Sequence, residues 1–184
     1  MNITKAKLNK GGTLEVAYID DDGNDVCMKG KNPVHDDLKA RLVALVPFFA
    51  ELTEQREVPM IDWDNLGSDE NADLLHRLSV TGVSIKGDDA FCQCVLVGKR
   101  TLSTSKTLNL CAPLTGFDPE TETYERCEDL RDAVDAFLYE AKLYVTEKKW
   151  SVVQVEINFD GNADDPFASA DATNDVPMEE EVPA

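Results

Sequence analysis

The sequence predicts an α+β domain in which duplicated βββα units form a mostly antiparallel sheet, or two sheets, packed against two long amphipathic helices. Short apolar-rich runs are separated by Gly-Gly and Asp-Gly pairs, whose tolerance of positive φ suits hairpin turns. Two stretches repeat apolar side chains at helical rather than strand spacing. The opening pattern also recurs: Ile3-Thr4 followed by Leu8 matches Val80-Thr81 followed by Ile85, each leading to a second and a third short strand. These pseudo-repeats cover about residues 1–54 and 79–148 of a single domain, 1–159, a length that suits one core.

In chain order, strands are expected at residues 3–8, 14–19 and 26–28, with Gly11-Gly12 and then Asp20-Asp21-Asp22-Gly23-Asn24 as the turns. Asn32 then reads as a helix N-cap, with Pro33 at the first helical position and Asp36 and Asp37 near the positive end of the dipole. Leu38, Leu42, Leu45, Val46, Phe49 and Leu52 make one buried stripe. Pro47 removes a backbone donor inside this helix and is expected to bend it near Val43. Residues 54–68 read as irregular, with Met60, Ile61, Trp63 and Leu66 packing as a flap, and 69–78 as a short helix. Strands follow at 78–85, 90–97 and 107–111, with turns at Gly87-Asp88-Asp89 and Gly98-Lys99-Arg100. After an insert at 113–126, a second long helix buries Leu130, Val134, Phe137, Leu138, Ala141, Tyr144 and Val145. A last strand is expected at 151–159.

Residues 160–184 hold eight acids and no Lys or Arg, and four of the residues are Gly or Pro. So little apolar surface cannot offset the entropy of ordering, so this tail is expected to be disordered. The net charge is −18, and removing the eight tail acids leaves 28 acids against 18 bases. Residues 51–73 and 118–140 are strongly acidic, whereas 79–117 set Lys86, Lys99, Arg100 and Lys106 against Asp88 and Asp89. A locally basic strand surface is therefore compatible with an acidic protein. No basic segment followed by an apolar core opens the chain and no apolar run reaches membrane-spanning length, so a cytoplasmic protein with no membrane partner is expected. Cys27, Cys92, Cys94, Cys111 and Cys127 make an odd count, and no structural disulfide is expected.

Nucleophile-elbow, phosphate-loop, dinucleotide and paired-histidine metal patterns are absent, so no catalytic residue, no cofactor and no enzyme activity are expected. His35 and His76 read as surface histidines. The Asp20-to-Asp25 run lacks the downstream Glu and helix of a calcium loop and reads as a hairpin. Cys92, Cys94, Cys111 and Cys127 have the wrong spacing for a zinc knuckle, so no metal site is assigned. Nucleic-acid binding needs cations along the backbone path and rings for base stacking. The candidates are Lys5, Lys7, Lys86, Lys99, Arg100 and Lys106, with Tyr18, Phe91 and Phe117 as rings.

Two C-terminal stretches carry likenesses. Asp164-Asp165-Pro166-Phe167 resembles the acidic tip of bacterial single-stranded DNA-binding proteins, although 17 residues follow Phe167 here. That likeness implies recruitment of basic partners through Asp164, Asp165 and Phe167, with Glu179, Glu180 and Glu181 adding charge. Gln154-Val155-Glu156-Ile157-Asn158-Phe159 is similar to the clamp-binding peptide of replication proteins, but an alternating strand produces the same pattern and is the favoured reading. The βββα units and acidic end together resemble small accessory proteins of tailed phages of gut bacteria, which implies a role in phage DNA replication, recombination or interference with host defence. The expected function is a non-enzymatic accessory protein that binds single-stranded DNA through a strand-borne basic and aromatic face, with a tail that autoinhibits or recruits. The alternative is an acidic phosphate mimic that inhibits a host DNA-binding or defence protein, and a third reading is a small-molecule pocket between sheet and helices. The expected partners are thus single-stranded DNA, a basic protein and, as a further option, a second copy of the chain.

Overall fold

The computed structural model describes residues 1–87 and 92–151, all within the unit Met1–Val153. The fold is α+β, with one antiparallel sheet in the order β3-β2-β1-β4-β5-β6 and a short β7 that also pairs with β5. The strands are β1 (Asn2–Leu8), β2 (Thr13–Ile19), β3 (Asp25–Pro33), β4 (Leu78–Lys86), β5 (Gln93–Thr101), β6 (Thr107–Cys111) and β7 (Thr115–Gly116). Helices α1 (Asp36–Ala44), α2 (Val46–Leu52), α3 (Asp69–Leu75) and α4 (Cys127–Thr146) complete it, with 3-10 turns at Val58–Met60 and Lys149–Ser151. The strand expected over 151–159 and the tail of 160–184 lie outside the described residues, apart from Ser151. Among the described residues no helix is long and apolar enough to cross a membrane.

Two meanders meet at the centre of the sheet, where β1 pairs with β4 as Lys5↔Ser84, Ala6↔Val83 and Lys7↔Gly82. If Ala6 is the counterpart of Val83, the outer two pairs exchange into each other, so the register is two-fold symmetric. The irregularities match as well. Pairing shifts between Ile3 and Lys5 in one meander and between Val80 and Gly82 in the other. At each bulge a threonine hydroxyl donates across the strands, Thr4 to Ala17 O at 3.2 Å and Thr81 to Val97 O at 3.1 Å. The helices cross over: α1 and α2 pack on β4, α4 packs on β1, and α1 and α4 pack on each other.

One face of the sheet is covered by these helices. Val16, Leu14, Val83, Cys94 and Leu96 meet Leu38, Leu45, Phe49, Leu130, Val134, Phe137 and Tyr144 in a single buried cluster. Fully burying a side chain such as Phe49 contributes about 2–3 kcal/mol. Gly98 makes room for that ring, because a Cβ there would lie 2.7 Å from Phe49 Cε1. This corrects the turn expected at Gly98-Lys99-Arg100. All three residues lie inside β5, and the reversal falls instead after Thr101, where Leu102 N–H donates to Lys106 O and Ser105 takes a positive φ of 61°.

The first helix also differs from expectation. Asn32 and Pro33 belong to β3, where Pro33 pairs with Thr13, and Val34 N–H is taken by Gly12 O at 2.8 Å. A proline without a donor suits the end of an edge strand. His35 occupies the N-cap position, extended and without a side-chain cap, and its N–H donates to Tyr144 Oη at 2.8 Å. Pro47 breaks the helix at Leu45 and starts α2 rather than bending one long helix near Val43. Only α4 is long; it follows the expected apolar spacing. The Asp20 turn forms as read, with Asp20 Oδ1 accepting from Asn24 N–H at 2.8 Å and Asp22 N–H at 3.0 Å, and with Gly23 at φ 82°.

The segment after α2 is tied to the sheet by a charged clasp. Arg100 points to the helix side and donates to Glu57 through both terminal nitrogens, at 2.9 and 2.6 Å, and to Gln55 Oε1 at 2.6 Å. Glu57 is only 8% exposed, and the Arg100 hydrogen bonds pull its carboxyl from 4.5 to about 2 against the opposing effect of burial. Because the folded-state value is depressed, the clasp stabilises fully above pH 4.5 and is lost as pH falls through about 2. Glu57→Gln is expected to lower stability at neutral pH by about 1–3 kcal/mol and to flatten the acid limb in this window. Urea unfolding across pH is the measurement, and wild-type stability in the variant would refute the role given to the clasp.

Candidate polyanion-binding face

Among the described residues no helix covers the second face of the sheet. In-register pairing places side chains on a common side, so its composition follows directly from the ladder. One row across the strands is Lys29, Glu15, Lys7, Gly82, Val97 and Cys111. The next is Cys27, Ala17, Lys5, Ser84 and Val95. Lys99 sits between Ser79 and Asn109, and Lys86 is opposite Gln93. The open face thus presents Lys5, Lys7, Lys29, Lys86 and Lys99 against two strand-borne acids, Glu15 and Asp25.

Glu15 is held between two of these cations. Lys5 Nζ is 3.2 Å from Oε1 and Lys29 Nζ is 3.7 Å from Oε2. The Lys5 hydrogen bond is the main cause that lowers the Glu15 carboxyl below its ordinary value, with the fields of Lys5, Lys29 and Lys7 adding to it. Lys7, Lys86 and Lys99 form no ion pair with any of the described residues, so their charge is available on the surface. Lys5 and Lys7, at alternate positions of one strand, and Lys29, two strands from Lys7, stand roughly 7–10 Å apart, whereas Lys86 and Lys99 lie toward opposite ends of the β4–β5 ladder, roughly 20 Å from each other.

The sequence candidates divide. Lys5 and Lys7 share the face with Lys86 and Lys99, and Lys106 is exposed in the β5–β6 turn. Arg100 is removed from the face by its clasp with Glu57. Tyr18 pairs with Ile3 and Val26 on the core side, and Phe117 is 6% exposed within the core. Phe91 lies outside the described residues, as do Asp164, Asp165, Phe167 and Glu179 to Glu181. Among the described strand residues the open face bears no aromatic ring, so its chemistry is that of cations on a neutral floor of Ala17, Gly82, Ser84, Val95 and Val97. Lys29 was missed in the sequence, although the alternation with Val26 and Met28 puts it on the opposite side from those two.

The opposite layer carries more acids than bases, its exposed helix cations being Lys39 and Arg41 on α1 and Arg131 and Lys142 on α4. Glu128, Asp129, Asp132 and Asp135 are exposed along α4, as are Asp36 and Asp37 on α1 and Asp69, Glu70 and Asp73 on α3. Here the 113–126 insert is held to α2, where Tyr124 Oη donates to Glu51 at 2.7 Å, and to the 54–68 insert, where the Arg126 guanidinium stacks 4.0 Å from the Trp63 ring centroid. Burial and the Glu51 carboxylate push the Tyr124 hydroxyl upward. A cleft of about 460 Å³ between α1, α2 and α3 is lined by Leu42, Val43, Val46, Leu66 and Leu75. Cys94 is buried, which pushes its thiol up to about 12, and no group of three or more His, Cys, Asp or Glu among the described residues is placed to hold a metal.

No protein-family model, curated protein or solved structure matches the chain.

Lys5→Met is expected to return the Glu15 carboxyl toward its ordinary range, because it removes the largest cause of the depression. Carbon-detected NMR titration of the Glu15 side chain reads this, and an unmoved midpoint would mean that Lys5 does not set the charge of the face.

Proposed function

We propose that the protein is a non-enzymatic accessory of DNA metabolism that binds the backbone of single-stranded nucleic acid on the open face of its sheet. The observation that carries this is charge segregation: five lysines share that face while the exposed acids of α1, α3 and α4 gather on the helical layer. A net charge of −18 opposes nonspecific attraction to DNA at long range. Binding then depends on short-range phosphate contact, is weak, and falls steeply with salt. Without rings on the face it gains little from base stacking and is indifferent to sequence.

The acidic tail fits the same reading, in which its eight acids compete with phosphate for the lysines or recruit a basic partner. We also take the two βββα halves as a duplication, in which Lys5 and Lys7 correspond to Gly82 and Ser84 and the cationic character of one copy has been lost at the centre. A second reading rests on the helical layer, where the row of exposed acids on α4 would mimic phosphates toward a host DNA-binding enzyme.

Fluorescence anisotropy with a labelled oligothymidine, titrated across salt, separates these. Measurable affinity at low salt is expected, with Lys7→Gln, Lys86→Gln and Lys99→Gln together reducing the salt slope by about 2, at roughly 0.7 per phosphate contact. Replacing Asp164, Asp165, Glu179, Glu180 and Glu181 by their amides is expected to tighten binding, and unchanged affinity would reject autoinhibition. No binding at low salt, together with a stable complex with a basic DNA-binding protein, would favour mimicry instead.

A further inference from the structure

The two outer strands of the sheet are chemically unlike. β3 is protected as edge strands usually are, with exposed Lys29 and Lys31 and a closing Pro33. β6 reads Thr-Leu-Asn-Leu-Cys, without charge or proline, in a chain of net charge −18. Leu108 within it, and Leu102 and Leu114 on either side, are 47, 39 and 44% exposed, three of the few large apolar side chains left open to solvent among the described residues.

Its backbone has a definite polarity. Leu102 N–H donates to Lys106 O at 2.8 Å and Ala112 N–H to Leu96 O at 2.9 Å. Antiparallel alternation between these two points turns the N–H and C=O of Leu108 and Leu110 toward β5 and those of Thr107, Asn109 and Cys111 outward. Among the described residues no strand pairs with that edge.

We propose that β6 is a homodimer interface, pairing antiparallel with the same strand of a second copy about a two-fold axis at Asn109. In this register each Asn109 exchanges both backbone hydrogen bonds with its equivalent, and Thr107 stands opposite Cys111 of the second copy. Leu108 and Leu110 flank the axis at equal spacing on the helix side, so each Leu108 is covered by the other copy's Leu110. This self-complementarity selects a second copy as occupant. A charged peptide would find no opposite charge along the strand, whereas two neutral edges approach without repulsion in an otherwise anionic protein. The sheet already contains one such antiparallel two-fold pairing, at Ala6↔Val83. The axis runs through the sheet, so the dimer carries both lysine faces on one side. The inference is independent of nucleic-acid binding, because mass rather than affinity reads it.

A five-residue edge is small beside standard interfaces, so a reversible, concentration-dependent dimer is expected. Sedimentation velocity on the full chain across the micromolar range tests it. Asn109→Pro deletes the central outward N–H without touching the ladder to β5, and Leu108→Lys adds charge at an exposed position. Both are expected to give monomers with an unchanged far-ultraviolet circular dichroism spectrum. Thr107→Cys would place a thiol about 5.5 Å, Cα to Cα, from the second copy's Cys111, and mild oxidation should give a covalent dimer far faster than in wild type. A monomer at every concentration overturns the proposal, as does a dimer that survives both Asn109→Pro and Leu108→Lys, or a Thr107→Cys variant that crosslinks no faster than wild type.

Discussion

The structure depends on the pairing of β1 with β4. These strands are far apart in sequence and central in the sheet, and each meander is attached through them. The contact is close because it is built from small residues: a Cβ on Gly82 would sit 2.7 Å from Ala6 O and 2.9 Å from Lys7 Cα. The bulges at Thr4 and Thr81 lie just beside it, and each hydroxyl bonds a carbonyl of the neighbouring strand. Bulges increase local twist, so twist enters the sheet symmetrically on both sides of its centre.

From that seam the charge arrangement follows. The helices can cover only one face, and the lysines of β1, β3, β4 and β5 are left together on the other. Acids that would sit badly beside one another are instead distributed over helix surfaces in water, or fixed to a cation as Glu57 is to Arg100 and Glu140 to Lys149. Lys149 also bonds Asp37 at 2.7 Å, linking the end of α4 to the start of α1. Paired charges therefore tie the helical layer together, while the open face combines the Lys5–Glu15–Lys29 cluster with Lys7, Lys86 and Lys99, which make no ion pair among the described residues.

Much of this architecture was legible in the sequence, because strand alternation, glycine turns and the apolar spacing of α4 are local signals. β6 was read at its observed bounds, and β1, β2 and β4 within a residue or so. The errors share a tertiary cause. Gly98 has the look of a turn residue but serves to admit Phe49, and Pro33 resembles a helix start but ends β3, which among the described residues pairs with β2 alone. The candidate site was only half legible. Lysines at alternate strand positions identify a face, whereas whether Tyr18 or Phe117 joins them depends on which side packs against the helices. Arg100 shows the same limit, since nothing in its neighbours' identities signals that Glu57 will claim it.

The crossing of the helices has a consequence for how the protein comes off the ribosome. The first meander and α1–α2 emerge early, yet their helices are built to rest on β4, and the β1 face waits for α4, the last long element of the described chain. The early part of the nascent chain therefore exposes Phe49 until β4 and β5 arrive, and the apolar side of β1 until α4 arrives. Completing the sheet therefore needs the pairing of β1 with β4 across a long stretch of chain, the kind of contact that slows the folding of small domains. The same crossing that sets α1 and α2 over one meander and α4 over the other leaves apolar surface open on the unfinished chain, the condition under which partly folded chains associate.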